Sequence, residues 1–449
     1  MQYFFVLGHN PTLSVAEIIS VLSSWKLKFH IHKLSEEFLI LEIKKEIDFK
    51  RLQEKLGGTI KIGKVISQIN ANLNINNTKL VHKIFDSLLK ISKKSRKVFF
   101  GFSLYSSFDK FGVENLWSKI KNLALTIKKE LKEKNISSRW VTSKEKKLSS
   151  VIVQKNKLLT QGAEFCFFIT KGANAQNKSI PVNLGNNYQK STYIGITLSC
   201  QKFEEYSQRD YGRPRRKIEE GMIPPKLAKI MINLSQAQEK MTILDPFCGS
   251  GTILQEALLM GYKNVIGTDL NEEAIKSSRE NMGWLISNSQ FLISKQFQNS
   301  NVQIFQTDVK ELSSKLLPNS VDAIITEPYL GPVKNKNIDI ENTINELSSL
   351  YLAAFKEFKR VLKPDGRVVI IFPVFSARGG SAFGGKINNK LHFLPILDQL
   401  KKTGWQIINP IPPELKNNPI IKITNRNSIV YSRPDQKVLR EIFIFKQNY

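Results

Sequence analysis

The sequence predicts an α/β protein. Its C-terminal domain is expected to form a doubly wound, mostly parallel sheet, and its N-terminal region is expected to be α+β. Between residues 241 and 372, short apolar segments alternate with amphipathic helical segments, as they do in the strand–helix–strand units of a parallel sheet. Before residue 170, apolar runs at 3–7, 38–43 and 98–102 alternate with helical segments in smaller units. A chain of 449 residues accommodates two or three such domains.

The C-terminal domain is organised around residues 242–252, which predict a strand, a glycine turn and a helix in succession. Asp245 stands at the carboxyl end of the strand, where open α/β sheets bind their ligands. Gly249 and Gly251 permit a sharp turn and a close approach of the backbone to a ligand. We expect Thr252 to cap the helix that follows.

Two common nucleotide-binding motifs fit this turn poorly. A dinucleotide motif requires a third glycine where this chain has Leu254, and a phosphate-binding loop requires a lysine directly after Gly251. Asp245 would repel a pyrophosphate but attract an amine or a sulfonium. The next strand, 265–268, ends in Asp269, about 20 positions past the glycines, which suits a contact to ribose hydroxyls.

A second motif, Thr326-Glu-Pro-Tyr-Leu-Gly-Pro332, follows the fourth predicted strand. Amino methyltransferases carry Asp/Asn-Pro-Pro-Tyr/Phe at this position. There a side-chain oxygen and a backbone carbonyl accept the N–H bonds of a weakly nucleophilic base amine, and an aromatic ring stacks on the flipped base. We predict Glu327, Pro328 and Tyr329 as the catalytic residues, with Glu327 accepting an N–H and Tyr329 stacking. The chain departs from the motif at Glu327, at Tyr329 and at Leu330, which stands where the aromatic residue belongs. The alternative is that this variant motif only shapes a loop and that the acceptor atom is a different one.

The charge of the chain is unevenly distributed. Its formal net charge is +28, yet residues 78–170 hold 20 basic and 7 acidic residues whereas residues 241–332 hold 6 basic and 10 acidic ones. This distribution indicates a polyanionic partner that is bound outside the catalytic domain. Trp140 and six basic residues are candidates for binding phosphates and a base: Arg139, Lys144, Lys146, Lys147, Lys155 and Lys157. A solvated charged face is the alternative.

Cysteine usage and hydropathy favour a cytoplasmic protein. Cys166, Cys200 and Cys248 form no C-x-x-C pair, so neither a metal site nor a disulfide framework is predicted. No run of 18 apolar residues occurs, and the first residues lack the basic start of a secretory signal.

Local patterns predict further details. We expect Ser14 to cap a helix over 15–22, with Glu17 completing a capping box. Residues 204–217 are expected to form a polar linker. The glycine-rich stretch 376–385 is either a target-recognition loop or a flexible connection.

The order of these parts resembles the THUMP-domain tRNA guanosine N2-methyltransferases that act at position 10 of tRNA. The resemblance rests on four segments: 3–17, 65–170, 209–214 with 225–228, and the Asp-Pro-Phe-Cys-Gly-Ser-Gly-Thr motif that ends at Thr252. It implies four parts: an N-terminal ferredoxin-like domain (1–64), a THUMP-like RNA-binding domain (65–170), a linker (171–217) and a Rossmann-like class I methyltransferase domain (218–449).

The resemblance also implies a cofactor, S-adenosylmethionine, and a partner, tRNA, gripped near its acceptor end. Asp245, Gly249 and Gly251 would frame the cofactor, together with Phe247 and Thr252 of the same motif. Asp269 would bind the ribose, Asp308 the adenine amine, and Leu270 and Val309 would enclose the adenine ring. The alternatives are an amino methyltransferase acting on rRNA or DNA, and an RNA-binding protein that has lost catalysis.

Overall fold

The computed structural model describes residues 1–70, 78–106, 110–170, 191–216, 222–288, 300–332, 339–376, 391–433 and 438–448. Residues 171–190 of the predicted linker and nearly all of the glycine-rich stretch 376–385 lie outside the described residues.

In the described part of the first 203 residues, the structure has eight strands and five complete helices. They are β1 (Gln2–Leu7), α1 (Pro11–Ser24), β2 (Phe29–Leu34), β3 (Phe38–Ile43), α2 (Phe49–Lys55), β4 (Thr59–Asn70), α3 (Thr78–Ser92), β5 (Lys97–Ser106), α4 (Lys110–Glu133), β6 (Ser137–Val141), α5 (Ser150–Lys155), β7 (Gly162–Thr170) and β8 (Ser191–Cys200).

The remaining elements alternate more regularly between helix and strand. They are α6 (Phe203–Tyr211), α7 (Pro225–Leu234), β9 (Thr242–Asp245), α8 (Thr252–Leu259), β10 (Asn264–Asp269), α9 (Glu272–Ser287), β11 (Asn301–Gln306), α10 (Leu312–Lys315), β12 (Val321–Thr326), α11 (Ile340–Val361), β13 (Leu362–Ser376), β14 (Leu391–Phe393), α12 (Leu397–Lys402), β15 (Trp405–Ile407), β16 (Ile429–Tyr431) and β17 (Val438–Gln447).

The chain divides into two compact units. The first comprises Met1–Pro11, Leu27–Glu54 and Thr59–Phe203, and the second comprises Thr12–Lys26, Lys55–Gly58 and Glu204–Tyr449. Helix α1, apart from its first residue, therefore belongs to the same unit as the predicted catalytic domain.

In the first unit, eight strands form one mixed sheet in the order β2-β3-β1-β4-β8-β7-β5-β6. The boundary that we predict after residue 64 falls inside β4, which pairs with β1 on one side and β8 on the other. Register shifts near Gly63 and Ser67 interrupt the apolar alternation of β4, so the sequence pattern does not indicate one continuous strand. The two predicted N-terminal parts share this sheet.

In the second unit, the main path of the sheet runs β11-β10-β9-β12-β13-β17-β15. The first five strands are parallel, whereas β17 pairs antiparallel with β13 on one side and with β15 on the other. This arrangement confirms the predicted doubly wound, mostly parallel sheet. Its strand order reverses at β9, the place where such sheets bind ligands.

An aromatic core fixes β17 against β13 and helix α11. Phe355 of α11 lies edge-on to Phe445 of β17, with ring centroids 5.1 Å apart, and Phe372 of β13 lies 4.9 Å from Phe443. All four side chains are buried. Such pairs add about 0.5–1.5 kcal/mol each to the free energy of burial, so β17 has a well-determined place in the sheet.

Two local predictions are wrong. Helix α1 begins at Pro11, so Ser14 lies within it and donates to the Gly58 carbonyl at 2.8 Å, while Glu17 accepts from the amides of Gly57 and Gly58 at 2.7 and 2.8 Å. Ser14 and Glu17, although spaced as in a capping box, therefore bond to residues distant in sequence and not to the start of their own helix. The predicted polar linker after residue 204 begins with helix α6, whose few apolar residues gave no clear helical period.

Candidate active site

The carboxyl ends of four adjacent parallel strands bring the predicted site residues to one edge of the second unit's sheet. Asp245 ends β9, Asp269 ends β10, and Thr326 ends β12 directly before Glu327. Asp308 follows β11 by two residues. Since parallel strands share one direction, these side chains belong to the same ligand-binding edge.

The glycine turn has the geometry that its sequence predicts. Gly249 and Gly251 have φ angles of +52° and +82°, in the left-handed region that favours glycine. A Cβ on Gly251 would lie 2.4 Å from Ser278 Oγ, whereas a Cβ on Gly249 would meet no atom within 4 Å. Gly251 is thus favoured by both its backbone angle and its packing, and Gly249 borders open space.

Thr252 does not cap helix α8, contrary to our prediction. Gly251 occupies the N-cap position, and Thr252 is the first helical residue. Its hydroxyl accepts a hydrogen bond from Arg213 Nη1 at 2.6 Å. A second contact ties the same segment down, because the Asn281 side-chain amide donates to the carbonyls of Arg215 and Ser250 at 2.9 Å. The segment around Arg213 therefore braces the glycine turn.

Asp245 is a buried acid, with 2% of its surface exposed. Its Oδ1 accepts from Thr326 Oγ1 at 2.7 Å and from the Phe247 amide at 3.3 Å. Burial, aided by the nearby charges of Asp269 and Glu327, outweighs these hydrogen bonds and raises the pKa of Asp245 to about 7. The Asp245–Thr326 hydrogen bond joins the ends of β9 and β12.

The second and third acids have different environments. Asp269 accepts from the Gly249 amide at 2.9 Å through Oδ2 and from the Asn271 amide at 3.0 Å through Oδ1, so it holds the glycine turn in place. Asp308 caps a single 3-10 turn by accepting from the Lys310 amide at 2.9 Å. Each carboxylate oxygen can accept a further hydrogen bond.

The two apolar residues that follow these acids are not equivalent. Leu270 is 65% exposed and offers an apolar surface at the end of β10. Val309 is buried in the core cluster of the sheet. The exposed Leu270 side chain is therefore available to contact an adenine ring, as predicted. The Val309 side chain packs into the core instead.

Glu327 forms a nearly buried ion pair with Arg440. Arg440 Nε lies 2.5 Å from Glu327 Oε1, and Nη2 lies 3.4 Å from Oε2; the two side chains are 5% and 10% exposed. Burial raises the pKa of Glu327, and the charge of Arg440 opposes that rise. Arg440 lies on β17, 113 residues further along the chain, so no local sequence pattern indicates it.

The rest of the loop after β12 is held by a hydrogen bond to helix α11. The hydroxyl of Tyr351, on α11, donates to the Tyr329 carbonyl at 2.9 Å. Gly331 has a φ of +95°, which turns the chain above Phe375. The Tyr329 ring is 60% exposed, whereas Pro328 is buried. The loop therefore presents an aromatic ring to solvent beside a fixed carboxylate.

Comparison with known proteins agrees with this geometry. A family described as "RMKL-like, methyltransferase domain" matches residues 213–377, which include the glycine turn and Glu327. A family described as "DNA methylase" matches residues 43–280, more than half of the chain. The chain is 30% identical over 144 residues, or 77% of that protein's length, to a "probable tRNA (guanine(10)-N2)-dimethyltransferase" of Methanothermococcus thermolithotrophicus. The chain belongs to the methyltransferase family that includes this relative.

Further similarities are more partial. The chain is 32% identical over 185 residues to the tRNA (guanine(10)-N2)-dimethyltransferase of Methanocaldococcus jannaschii, covering 41% of this chain and 47% of that protein. The chain thus spans about half the length of that relative, and 28% of the Methanothermobacter thermautotrophicus protein of the same name. The crystal structure of TrmN from Thermus thermophilus superposes over both full lengths with a TM-score of 0.49 and 13% identity.

The predicted RNA-binding residues lie on β6, on α5 and in the segments next to them. Four of the six are exposed: Arg139, Lys144, Lys155 and Lys157. The other two are half-buried and paired, Lys146 with Glu114 and Lys147 with Glu37. Trp140, the aromatic candidate for binding a base, is half-buried against the core cluster that includes residues of α3 and α4.

The described part of the chain contains no group of three or more His, Cys, Asp and Glu residues arranged to hold a metal ion. The three cysteines are buried free thiols. Within the same described ranges, every helix is too short or too polar to cross a membrane.

Proposed function

We propose that this chain transfers a methyl group from S-adenosylmethionine to the N2 amine of a guanine in tRNA. The observation that supports this most is the meeting of Asp245, Asp269 and the Glu327 loop at one sheet edge, in a chain of this family. The carboxyl edge at a point of strand reversal is where α/β enzymes bind cofactor and substrate together.

The described residues fit the proposed cofactor. When bound, S-adenosylmethionine supplies an electrophilic methyl group on a sulfonium. The space beside Gly249 leaves room for it, and Asp269 already lies at that turn. The exposed Leu270 side chain suits one face of an adenine ring, and the spare lone pairs of Asp308 suit its amine.

Glu327 and Tyr329 are the residues we assign to the acceptor base. The lone pair of an exocyclic amine is delocalised into the ring, so the amine is a weak nucleophile. A hydrogen-bond acceptor that draws the N–H bonds out of the ring plane makes the lone pair available for attack. The Glu327 carboxylate accepts such a bond and stabilises the positive charge that develops on nitrogen. The exposed Tyr329 ring stacks on a base that has left its helix. Pro328 keeps the two at a fixed spacing.

We assign tRNA binding to the first unit. Its residues 65–170 correspond to the THUMP-like part predicted from the sequence, and Arg139, Lys144, Lys155 and Lys157 present exposed cations there. Contacts of this kind bind phosphates without reading sequence. Capture of the acceptor end, position 10 as the target, and a cytoplasmic location remain predictions.

One observation favours a second candidate. The longer family match is described as a DNA methylase, and an exocyclic amine of a DNA base would suit the same loop. The tRNA candidate is stronger because the tRNA-modifying relatives include one that the chain covers over 77% of its length.

Nucleoside mass spectrometry tests the proposal. The purified chain and S-adenosylmethionine would be incubated with unmodified tRNA, with ribosomal RNA and with duplex DNA. N2-methylated guanosine in the tRNA sample alone is the expected result, and it should disappear in Asp269→Ala. A methylated base in rRNA or DNA instead would contradict the tRNA proposal while keeping the enzyme class.

A further inference from the structure

The ion pair between Glu327 and Arg440 has a geometry that suits a fixed acceptor. Two guanidinium nitrogens face two carboxylate oxygens, at 2.5 and 3.4 Å. Arg440 is held in turn by β17, where its backbone is paired with Pro373 of β13 and with Tyr431 of β16. The pair therefore connects the loop after β12 to a strand fixed between two neighbours.

We infer that Arg440 is a positioning residue for the methyl transfer: it holds the Glu327 carboxylate in the orientation and charge state that accept a hydrogen bond from the target amine. This inference rests on the proposed function. Arg440 acts through Glu327 and is not assigned a contact with the substrate.

The length of glutamate explains why such a residue is needed. Glutamate has one more rotatable bond than the aspartate or asparagine usual at this position, so an unrestrained Glu327 would sample more orientations and lose more entropy on binding. A planar guanidinium restrains a carboxylate in two directions, which an ammonium cannot do. Because each carboxylate oxygen has two lone pairs, the ion pair leaves capacity for an N–H donor.

The surrounding charges decide the protonation of Glu327. Arg440 and Arg433 both favour its charged form, whereas burial raises its pKa. Asp245 and Tyr351 also lie close enough to interact with it. Removing Arg440 leaves burial largely unopposed, so a larger share of Glu327 is protonated at neutral pH. A protonated carboxyl cannot stabilise positive charge on the amine.

A neighbouring pair on the same strand provides a matched control. Glu441 is fully buried on β17, accepts from Ser428 Oγ at 2.6 Å and lies 3.5 Å from Arg426. Arg426 is thus an arginine that neutralises a buried glutamate outside the loop after β12. Its removal should affect stability in a similar way without altering the charge on Glu327.

The experiment compares Arg440→Gln, Arg440→Lys and Arg426→Gln with the parent protein. For each, kcat and KM for tRNA methylation would be measured from mildly acidic to alkaline pH, and S-adenosylmethionine affinity by calorimetry. The Glu327 carboxyl would be titrated by carbon-13 NMR without tRNA or cofactor, assigned with Glu327→Gln.

Arg440→Gln should lower kcat roughly 100-fold at neutral pH, as removal of one preorganised electrostatic interaction does, with cofactor affinity unchanged. Activity should recover partly as pH rises, in parallel with a Glu327 titration displaced to higher pH. Arg440→Lys should keep the parent pH profile at a reduced kcat. Arg426→Gln should lower the melting temperature without moving the profile.

Three results would overturn the inference. The first is an Arg440→Gln protein as active as the parent, and the second is one impaired by the same factor at every pH with an unmoved Glu327 titration. The third is a parent protein inactive on every nucleic acid tested. That outcome refutes the proposed function itself, and it is distinguished from the others because it concerns the unmutated chain.

Discussion

Asp245 illustrates how one residue can be favourable for a ligand site and costly for folding. Its carboxyl is almost excluded from water and, within the described ranges, accepts hydrogen bonds from Thr326 and from the Phe247 amide. No cation contacts it among the described residues, so burial dominates and its pKa rises to about 7. A cationic ligand at the same edge would be attracted by the charged form of Asp245.

The first prediction concerns the pH dependence of stability. Folding raises the pKa of Asp245 from 3.8 to about 7, so between these values the folded state binds a proton that the unfolded state has lost. The free energy of unfolding should therefore fall by up to about 4 kcal/mol as pH rises from about 4 to 7, and this contribution should be constant above pH 7.

Denaturant unfolding at several pH values measures this effect. Asp245→Asn preserves the acceptor for Thr326 and removes the titration, so its stability curve should be flatter than that of the parent over the same range. Asp398→Asn, at an exposed site, should leave the slope unchanged. Parallel curves for Asp245→Asn and the parent would contradict the assignment.

At the scale of elements, buried charged side chains connect helices α6, α7 and α8. Arg209 of α6 donates to both oxygens of Glu256 on α8, with Nε–Oε1 at 2.6 Å and Nη2–Oε2 at 3.4 Å, and lies 4.5 Å from the centre of the Tyr206 ring. Lys229 of α7 approaches the same glutamate at 3.8 Å. These charges are buried, so each depends on the others.

The second prediction follows from that dependence. Arg209→Ala should lower the free energy of unfolding by roughly 3–5 kcal/mol, because it removes the closest cation from the buried Glu256 and leaves Lys229 at 3.8 Å. Arg215→Ala is the matched control, since Arg215 pairs with Glu280 where the side chains are 42% and 36% exposed, and it should have a much smaller effect. Urea unfolding compares them. Equal decreases for the two variants would show that the buried pair has no special role.

Sequence patterns predicted most of the second unit's sheet and the residues at its edge, because β-α alternation and glycine turns are local. The same local logic failed at Thr252, where the helix cap expected from residue type was replaced by a contact with Arg213. It also failed at Ser14 and Glu17, whose capping spacing serves bonds to Gly58 and Gly57. Each error involves a partner distant in sequence.

Long-range partners also explain what could not be predicted of the candidate site. The sequence indicated Glu327 but not Arg440, since no periodicity relates residues 113 positions apart. Similarly, a charge count could not separate Lys147, which is paired with Glu37, from Lys155, which is exposed. Composition gives the total of a charge cluster, whereas only the fold shows which members remain available to a ligand.

At the scale of the whole molecule, the chain crosses between its two units more than once. The second unit includes Thr12–Lys26 and Lys55–Gly58 in addition to everything after Phe203. Within it, Asn233 of α7 donates to Glu17 of α1 at 2.7 Å. A methyltransferase domain defined by sequence motifs alone, starting at residue 218, would lack α1 and the partners that it supplies.

The distribution of charge over the molecule leads to the last prediction. Exposed cations of the first unit can release counterions when they bind phosphates, whereas a cation already paired with a carboxylate contributes less. Reversing Arg139 and Lys155 to glutamate should therefore weaken tRNA binding strongly. It should also reduce the slope of log K against log salt by about 0.7–0.9 for each phosphate that the protein no longer neutralises.

Filter binding of tRNA over a series of salt concentrations measures both quantities. Lys146→Glu and Lys147→Glu are the matched controls, because these lysines belong to the same sequence cluster but are paired with Glu114 and Glu37. If all four reversals reduced the slope equally, the charge of the cluster as a whole would govern binding. A slope unchanged by Arg139→Glu and Lys155→Glu would instead make the cluster a solvated face, and tRNA would have to be bound by other residues.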